Sequence, residues 1–86
     1  MNITKRTIAG TLESCDCLVT VYPDDKRVII LNSVSAVRFG KHLNHLINNT
    51  LDDLGLVTGK VEIEDKGALD YCIVARITAA VERGVR

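Results

Sequence analysis

Thr7-Ile8-Ala9-Gly10-Thr11-Leu12-Glu13-Ser14-Cys15-Asp16-Cys17-Leu18-Val19-Thr20-Val21-Tyr22 is the stretch on which the architecture turns. From Cys17 to Tyr22 it is rich in β-branched and aromatic side chains and is expected to be a strand. From Thr7 to Glu13 a first strand is expected, with Ile8 and Leu12 as its bulky apolar residues. The residues between them bend, so the Ser14 hydroxyl faces solvent with the carboxylates of Glu13 and Asp16 on either side. Serines in such bends ordinarily bond nearby backbone, and the stretch by itself assigns no chemistry.

Outward from it, Met1 to Lys5 are expected to fray. Pro23-Asp24-Asp25 ends the second strand, and Lys26 and Arg27 lead into Val28-Ile29-Ile30-Leu31, an aliphatic run short enough for a strand buried on both faces. These first three strands are read as antiparallel hairpins. Asn32-Ser33-Val34-Ser35 changes the period, and either serine suits the N-cap of a helix reaching about Leu54. Phe39, Leu43, Leu46, Ile47, Thr50 and Leu54 form its apolar face, while Lys41, His42, His45, Asn48, Asn49 and Asp52 fall on the other. Gly40 inside this helix is unfavourable by about 1 kcal/mol relative to alanine, which points to close approach of another backbone.

Gly55 is placed for a left-handed cap, and Gly59 marks the loop before Lys60-Val61-Glu62-Ile63-Glu64. Here Val61 and Ile63 alternate with Glu62 and Glu64, which predicts a half-buried strand at a sheet edge. Asp65 is expected to cap a second helix with the stripe Leu69, Cys72, Ile73, Ile77 and Ala80, Val81 beside it and a stop at Gly84. Arg76 lies close to that stripe, positioned for an ion pair with a carboxylate or for a phosphate of a bound group. The order β-β-β-α-β-α predicts an α+β two-layer sandwich, one domain over residues 1–86: a four-stranded, mostly antiparallel sheet with two helices on one face. The long helix would be a right-handed crossover if the third and fourth strands are parallel.

An 86-residue chain has room for one modest core, and a substrate cleft with a full catalytic set would be cramped. Hydrophobic residues make up 47% and charged residues 26%, a globular balance, and with no Trp and one Phe the core must be aliphatic. Eleven basic residues balance 11 acidic ones, and no basic cluster is interleaved with aromatics, so no nucleic-acid partner is expected. No N-terminal apolar segment reads as a signal peptide or a membrane span, and with the odd cysteine count of three this predicts a reducing cytoplasm. Cys15 and Cys17 are expected on one face of an alternating strand and Cys72 on a helix stripe; their spacing with His42 and His45 matches no common zinc site, so no metal is expected. His42 and His45 read as solvated surface residues. No paired carboxylates, Cys/His pair or phosphate loop can be assembled, so no catalytic residues are assigned.

Ala9-Gly10-Thr11-Leu12-Glu13-Ser14, Phe39-Gly40 and Asp65-Lys66-Gly67-Ala68-Leu69-Asp70 together make the chain resemble the acyl carrier (gamma) subunit of citrate lyase, from about Ile3 to Arg83. The resemblance implies a non-catalytic carrier whose Ser14 is the covalent attachment point of 2'-(5''-phosphoribosyl)-3'-dephospho-CoA, with the thiol of that group holding acetyl and citryl thioesters during citrate cleavage to oxaloacetate and acetate. It implies as partners the transferase (alpha) and lyase (beta) subunits, a prosthetic-group transferase and an acetylating ligase. In the loading step the Ser14 hydroxyl would attack a triphosphoribosyl precursor and displace pyrophosphate, with Glu13 and Asp16 as candidate holders of Mg²⁺. The sequence departs from the pattern at Cys15, where a glycine is expected and where positive φ would come freely only to glycine. The acyl carrier subunit of malonate decarboxylase is the alternative within the class; outside it stands an α/β interaction subunit carrying no group, or one switched by phosphorylation of Ser14.

Overall fold

Lys60 to Glu64 alternates as expected, but in the middle of the sheet. The computed structural model describes residues 1–86 and has the elements β1 (Thr7–Gly10), β2 (Cys17–Tyr22), β3 (Arg27–Ser33), α1 (Ala36–Leu54), β4 (Gly59–Asp65) and α2 (Asp70–Gly84). The sheet order is β1-β2-β4-β3. β1–β2 and β2–β4 are antiparallel, whereas β3–β4 is parallel, with Ile29 beside Val61 and Leu31 beside Ile63. The predicted order β-β-β-α-β-α and the mostly antiparallel α+β sandwich are therefore present.

Three expectations about the sheet fail together. β2 and β3 do not form a hairpin, because β4 lies between them. β4 is thus central rather than an edge. β3 is the edge, and its Ile30 is 45% exposed, so the strand is not buried on both faces. Parallel pairing needs a long crossover, and α1 supplies it between β3 and β4. β1 also stops at Gly10 instead of Glu13: Gly10 has φ 98°, and a Cβ there would run into the Cys17 carbonyl.

Cys17, Val19, Val21, Val61 and Ile63 of the sheet meet Leu43, Ile47 and Leu51 of α1 and Ile73, Ile77, Ala80 and Val81 of α2 in one aliphatic core. Each fully buried Val, Leu or Ile among them contributes roughly 1.5–3 kcal/mol. Both helices lie on this face, and the opposite face leaves Ile8, Leu12 and Ile30 about half exposed. Cys15 is exposed in the turn while Cys17 is buried in the core, so the two thiols do not share a strand face.

The residues before β1 do not fray. The Ile3 amide donates to the Thr58 carbonyl at 3.0 Å, the Thr4 amide donates to Gly84 at 2.8 Å, and the Ile3 side chain is buried. Gly55 closes α1 with φ 74°, its amide and that of Leu56 returning to the carbonyls of Asp52 and Leu51. Ser35 makes no side-chain cap; instead its amide donates to Ser33 Oγ at 3.0 Å. Phe39 breaks the helical dihedrals (φ −124°, ψ 17°), so the first turn of α1 is kinked from the rest. A Cβ at Gly40 would meet no atom within 4 Å, so no other backbone approaches there. Asp65 ends β4 rather than capping α2, which begins five residues later at Asp70 after Leu69.

Candidate functional site

Glu13-Ser14-Cys15-Asp16 is a β-turn, closed by the Asp16 amide donating to the Glu13 carbonyl at 3.2 Å. Cys15, its third residue, has φ 65° and is the chain's one non-glycine residue at positive φ. This is the position at which a type II turn favours glycine. The turn thus keeps the left-handed conformation that a glycine would take freely, and the cysteine standing in its place adopts it. Ser14 is exposed, and its hydroxyl has only a weak neighbour, Cys15 Sγ at 3.9 Å.

Asp16 fixes the turn from inside. Its Oδ1 accepts from the Cys17 amide at 2.7 Å and from Arg76 Nε at 3.2 Å; its Oδ2 accepts from Thr11 Oγ1 at 2.7 Å and from Arg76 Nη2 at 3.0 Å. Arg76, on α2, therefore grips the turn with its guanidinium fork. The Arg76 and Thr11 hydrogen bonds hold the Asp16 carboxyl down from 3.8 to about 2. With four donors on its two oxygens Asp16 is a structural carboxylate, and Mg²⁺ would have to displace them. No group of three or more His, Cys, Asp or Glu residues is placed to hold a metal ion. Burial, aided by the charges of Asp16 and Asp65, pushes the Cys17 thiol up to about 11, which keeps it protonated and inert.

The structure brings the second motif against the first. The Cys15 amide donates to the Lys66 carbonyl and the Lys66 amide to the Asp16 carbonyl, both at 2.9 Å. The cause is register: Cys17 pairs with Asp65, so the segments leaving β2 and β4 at that end run side by side. The Asp65 side chain, 2% exposed, accepts from Ser33 Oγ at 2.6 Å and from the amides of Gly67 and Ala68 at 3.2 and 2.9 Å. It anchors the Lys66–Leu69 loop to the sheet.

Beyond that loop lies a groove of about 530 Å³ between the start of α1 and the start of α2, lined by Phe39, His42, Leu43, Ala68, Leu69 and Tyr71 among others. Phe39 and Leu69, predicted on buried stripes, are 50% and 59% exposed, and Tyr71 is 71% exposed. The kink at Phe39 and the late start of α2 turn them outward. His42 Nε2 lies 2.6 Å from Asp70 Oδ2 across the groove, while His45 is exposed on α1. Sequence patterning misses this groove and the contribution of Thr11; the Phe39-Gly40 dipeptide, where helix propensity falls, is the signal that marks the kink.

Residues 4–84 match the family model of an acyl carrier protein (ACP) described as the malonate decarboxylase delta subunit (MdcD). The chain is 44% identical over 84 residues to a citrate lyase acyl carrier protein of Pectobacterium atrosepticum, covering 96% of this chain and 88% of that one. It is 46% identical over 85 residues to a citrate lyase acyl carrier protein of Streptococcus pyogenes, covering 96% and 83%. A chain in the crystal structure of a Pseudomonas malonate decarboxylase hetero-tetramer in complex with malonate shares the fold, with a TM-score of 0.79 at 19% identity over 96% of this chain and 87% of that one. The family model and the relatives thus place this chain in the acyl carrier family of citrate lyase acyl carrier proteins and the malonate decarboxylase delta subunit.

Proposed function

We propose that this chain is the acyl carrier subunit of a citrate lyase and that Ser14 carries 2'-(5''-phosphoribosyl)-3'-dephospho-CoA in a phosphodiester. The observation that carries the proposal is an exposed hydroxyl, free of any strong hydrogen bond, on a turn clamped by Asp16, Arg76 and Lys66. The residues fit such a group: the hydroxyl is sterically open, and the clamp lets a loading enzyme meet one conformation of it. When bound, the group supplies a thiol that forms thioesters. The chain's own residues present and orient the attachment point. They cleave nothing; the transferase and lyase subunits would do so, with tethering to the carrier keeping the acyl group concentrated near both.

Citrate is favoured over malonate by the 44–46% identity to citrate lyase acyl carrier proteins. Intact-mass spectrometry with peptide mapping, on chain produced with its loading enzymes, tests the proposal. A mass increase equal to the phosphoribosyl-dephospho-CoA group, on the peptide holding Ser14 and absent in Ser14→Ala, is expected. An unmodified chain despite active loading enzymes would overturn it in favour of an interaction subunit. If the loaded chain restored malonate decarboxylation but not citrate cleavage to subunits lacking their carrier, the malonate assignment would replace the citrate one.

A further inference from the structure

The groove beside the turn has an occupant already tethered next to it, if Ser14 carries the proposed group. In 2'-(5''-phosphoribosyl)-3'-dephospho-CoA, attached through the ribosyl phosphate, the part nearest the protein is one phosphoribosyl unit and then adenosine; the pantetheine and thiol come last. The purine is therefore confined to the neighbourhood of the turn. The groove begins there too, since Gly67 and Ala68 directly follow Lys66, which is hydrogen-bonded to Cys15 and Asp16.

We infer that this groove seats the adenine nucleoside of the arm on Ser14, with the purine against the rings of Tyr71 and Phe39 and the pantetheine left free. Three observations carry the inference, which rests on the function proposed above. The first is the tether. The second is two half- to three-quarter-exposed aromatic rings lining one depression, one from α1 and one from α2, surfaces on which a base stacks irrespective of its identity. The third is charge: exposed Arg38, Lys41 and Lys66 each directly adjoin a groove-lining residue in the chain (Phe39, His42 and Gly67), with Arg38 held over the Phe39 ring at 5.4 Å, and they suit the diphosphate that follows the nucleoside. The Asp70 carboxylate on the rim is engaged by His42 at 2.6 Å. A carrier built this way docks the rigid half of its arm and swings only the thiol half, which shortens the search for each active site.

The chain has two tyrosines and no tryptophan, so Tyr71 fluorescence can be read alone in a Tyr22→Phe background. Chain verified as loaded by intact mass is compared with unloaded chain. Stacking is expected to lower Tyr71 emission at least twofold. It should also give nuclear Overhauser contacts from adenine protons to the Phe39 and Tyr71 rings, and Phe39→Ala should recover at least half of the lost emission. Dephospho-CoA added to unloaded chain should shift the amides of Phe39, His42 and Leu69. Loaded chain with unquenched Tyr71, and with shifts confined to residues 12–17, would overturn the inference while leaving the carrier reading standing; the exposed rings would then belong to a protein-docking face. An absent mass increase would overturn the carrier reading and this inference together.

Discussion

Cys15 holds a left-handed conformation at φ 65° where an L-residue with a Cβ costs about 1–2 kcal/mol. Glycine there would remove that strain while adding about 0.5–1 kcal/mol of unfolded-chain entropy. Strain relief wins by a small margin, so Cys15→Gly is expected to stabilise the chain by up to about 1.5 kcal/mol in urea unfolding; a lower midpoint would mean that the sulfur contributes packing. The thiols of Cys15 and Cys17 should also separate by reactivity. Exposed Cys15 should be alkylated by iodoacetamide in the folded chain, and Cys17, buried with its thiol pushed up to about 11, only on unfolding. Equal alkylation of both would contradict that burial. Beside them, the Asp16 carboxyl is held at about 2, below its ordinary 3.8. A depressed carboxyl contributes stability that is complete above its unfolded value, so this contribution is present above about pH 4 and lost as pH falls through about 2. Arg76→Ala should raise the Asp16 titration, followed by carboxyl carbon chemical shift, part of the way back, because the bonds from Thr11 and Cys17 remain. An unmoved titration would remove Arg76 as the main cause.

At the scale of elements, α1 is shaped by the kink at Phe39 and by open space around Gly40. Gly40→Ala should therefore be accepted and should raise stability by about 0.5–1 kcal/mol through helix propensity; thermal melting checks it. A loss of more than 1 kcal/mol would show that the kink needs glycine. The elements themselves are legible in sequence because burial has a period: β-branched residues mark β2, strict alternation marks β4, and three- and four-residue spacing marks most of α1 and α2. Neighbours within the sheet are not. Val28-Ile29-Ile30-Leu31 is apolar at every position, which suits a central strand, yet α1 is the connection that makes β3 parallel to β4 and leaves it at the edge. Period reports which face a side chain takes and says nothing of which strand lies beside it. The same limit applies to the site. Turn residues and charges mark the bend at Ser14, and it is the resemblance to the carrier family that singles out Asp65 to Asp70, but only the pairing of Cys17 with Asp65 makes them one surface. The groove escapes because a helical stripe extrapolated past a kink or a late helix start assigns Phe39 and Leu69 to the core.

Across the whole molecule, 31 × 23 × 18 Å in extent, the Ser14 turn and the buried tie made by Ile3 lie at opposite ends of β4. β4 runs seven residues from Gly59 to Asp65, a length of about 20 Å at a strand's rise per residue. Asp65 lies beside the Ser14 turn, whereas Gly59 lies against Ile3, whose side chain fills the space that a Cβ at Gly59 would need. Ile3 also approaches Gly84 at the end of α2, and its backbone joins Thr58, so it ties the segment before β1 to both β4 and α2. Truncating a buried isoleucine leaves a cavity as well as losing transfer energy, and Ile3→Ala should destabilise by about 2–4 kcal/mol in chemical unfolding. Its distance from the turn predicts a second outcome: at a temperature where the variant remains folded, the extent of Ser14 loading read by intact mass should equal that of the wild-type chain. Asp16→Ala should show the converse, with slower loading from a turn that has lost its clamp and a smaller loss of stability than Ile3→Ala. If Ile3→Ala slowed loading of a demonstrably folded chain, the two ends would be coupled through β4, and the turn could not be treated as a separately fixed platform.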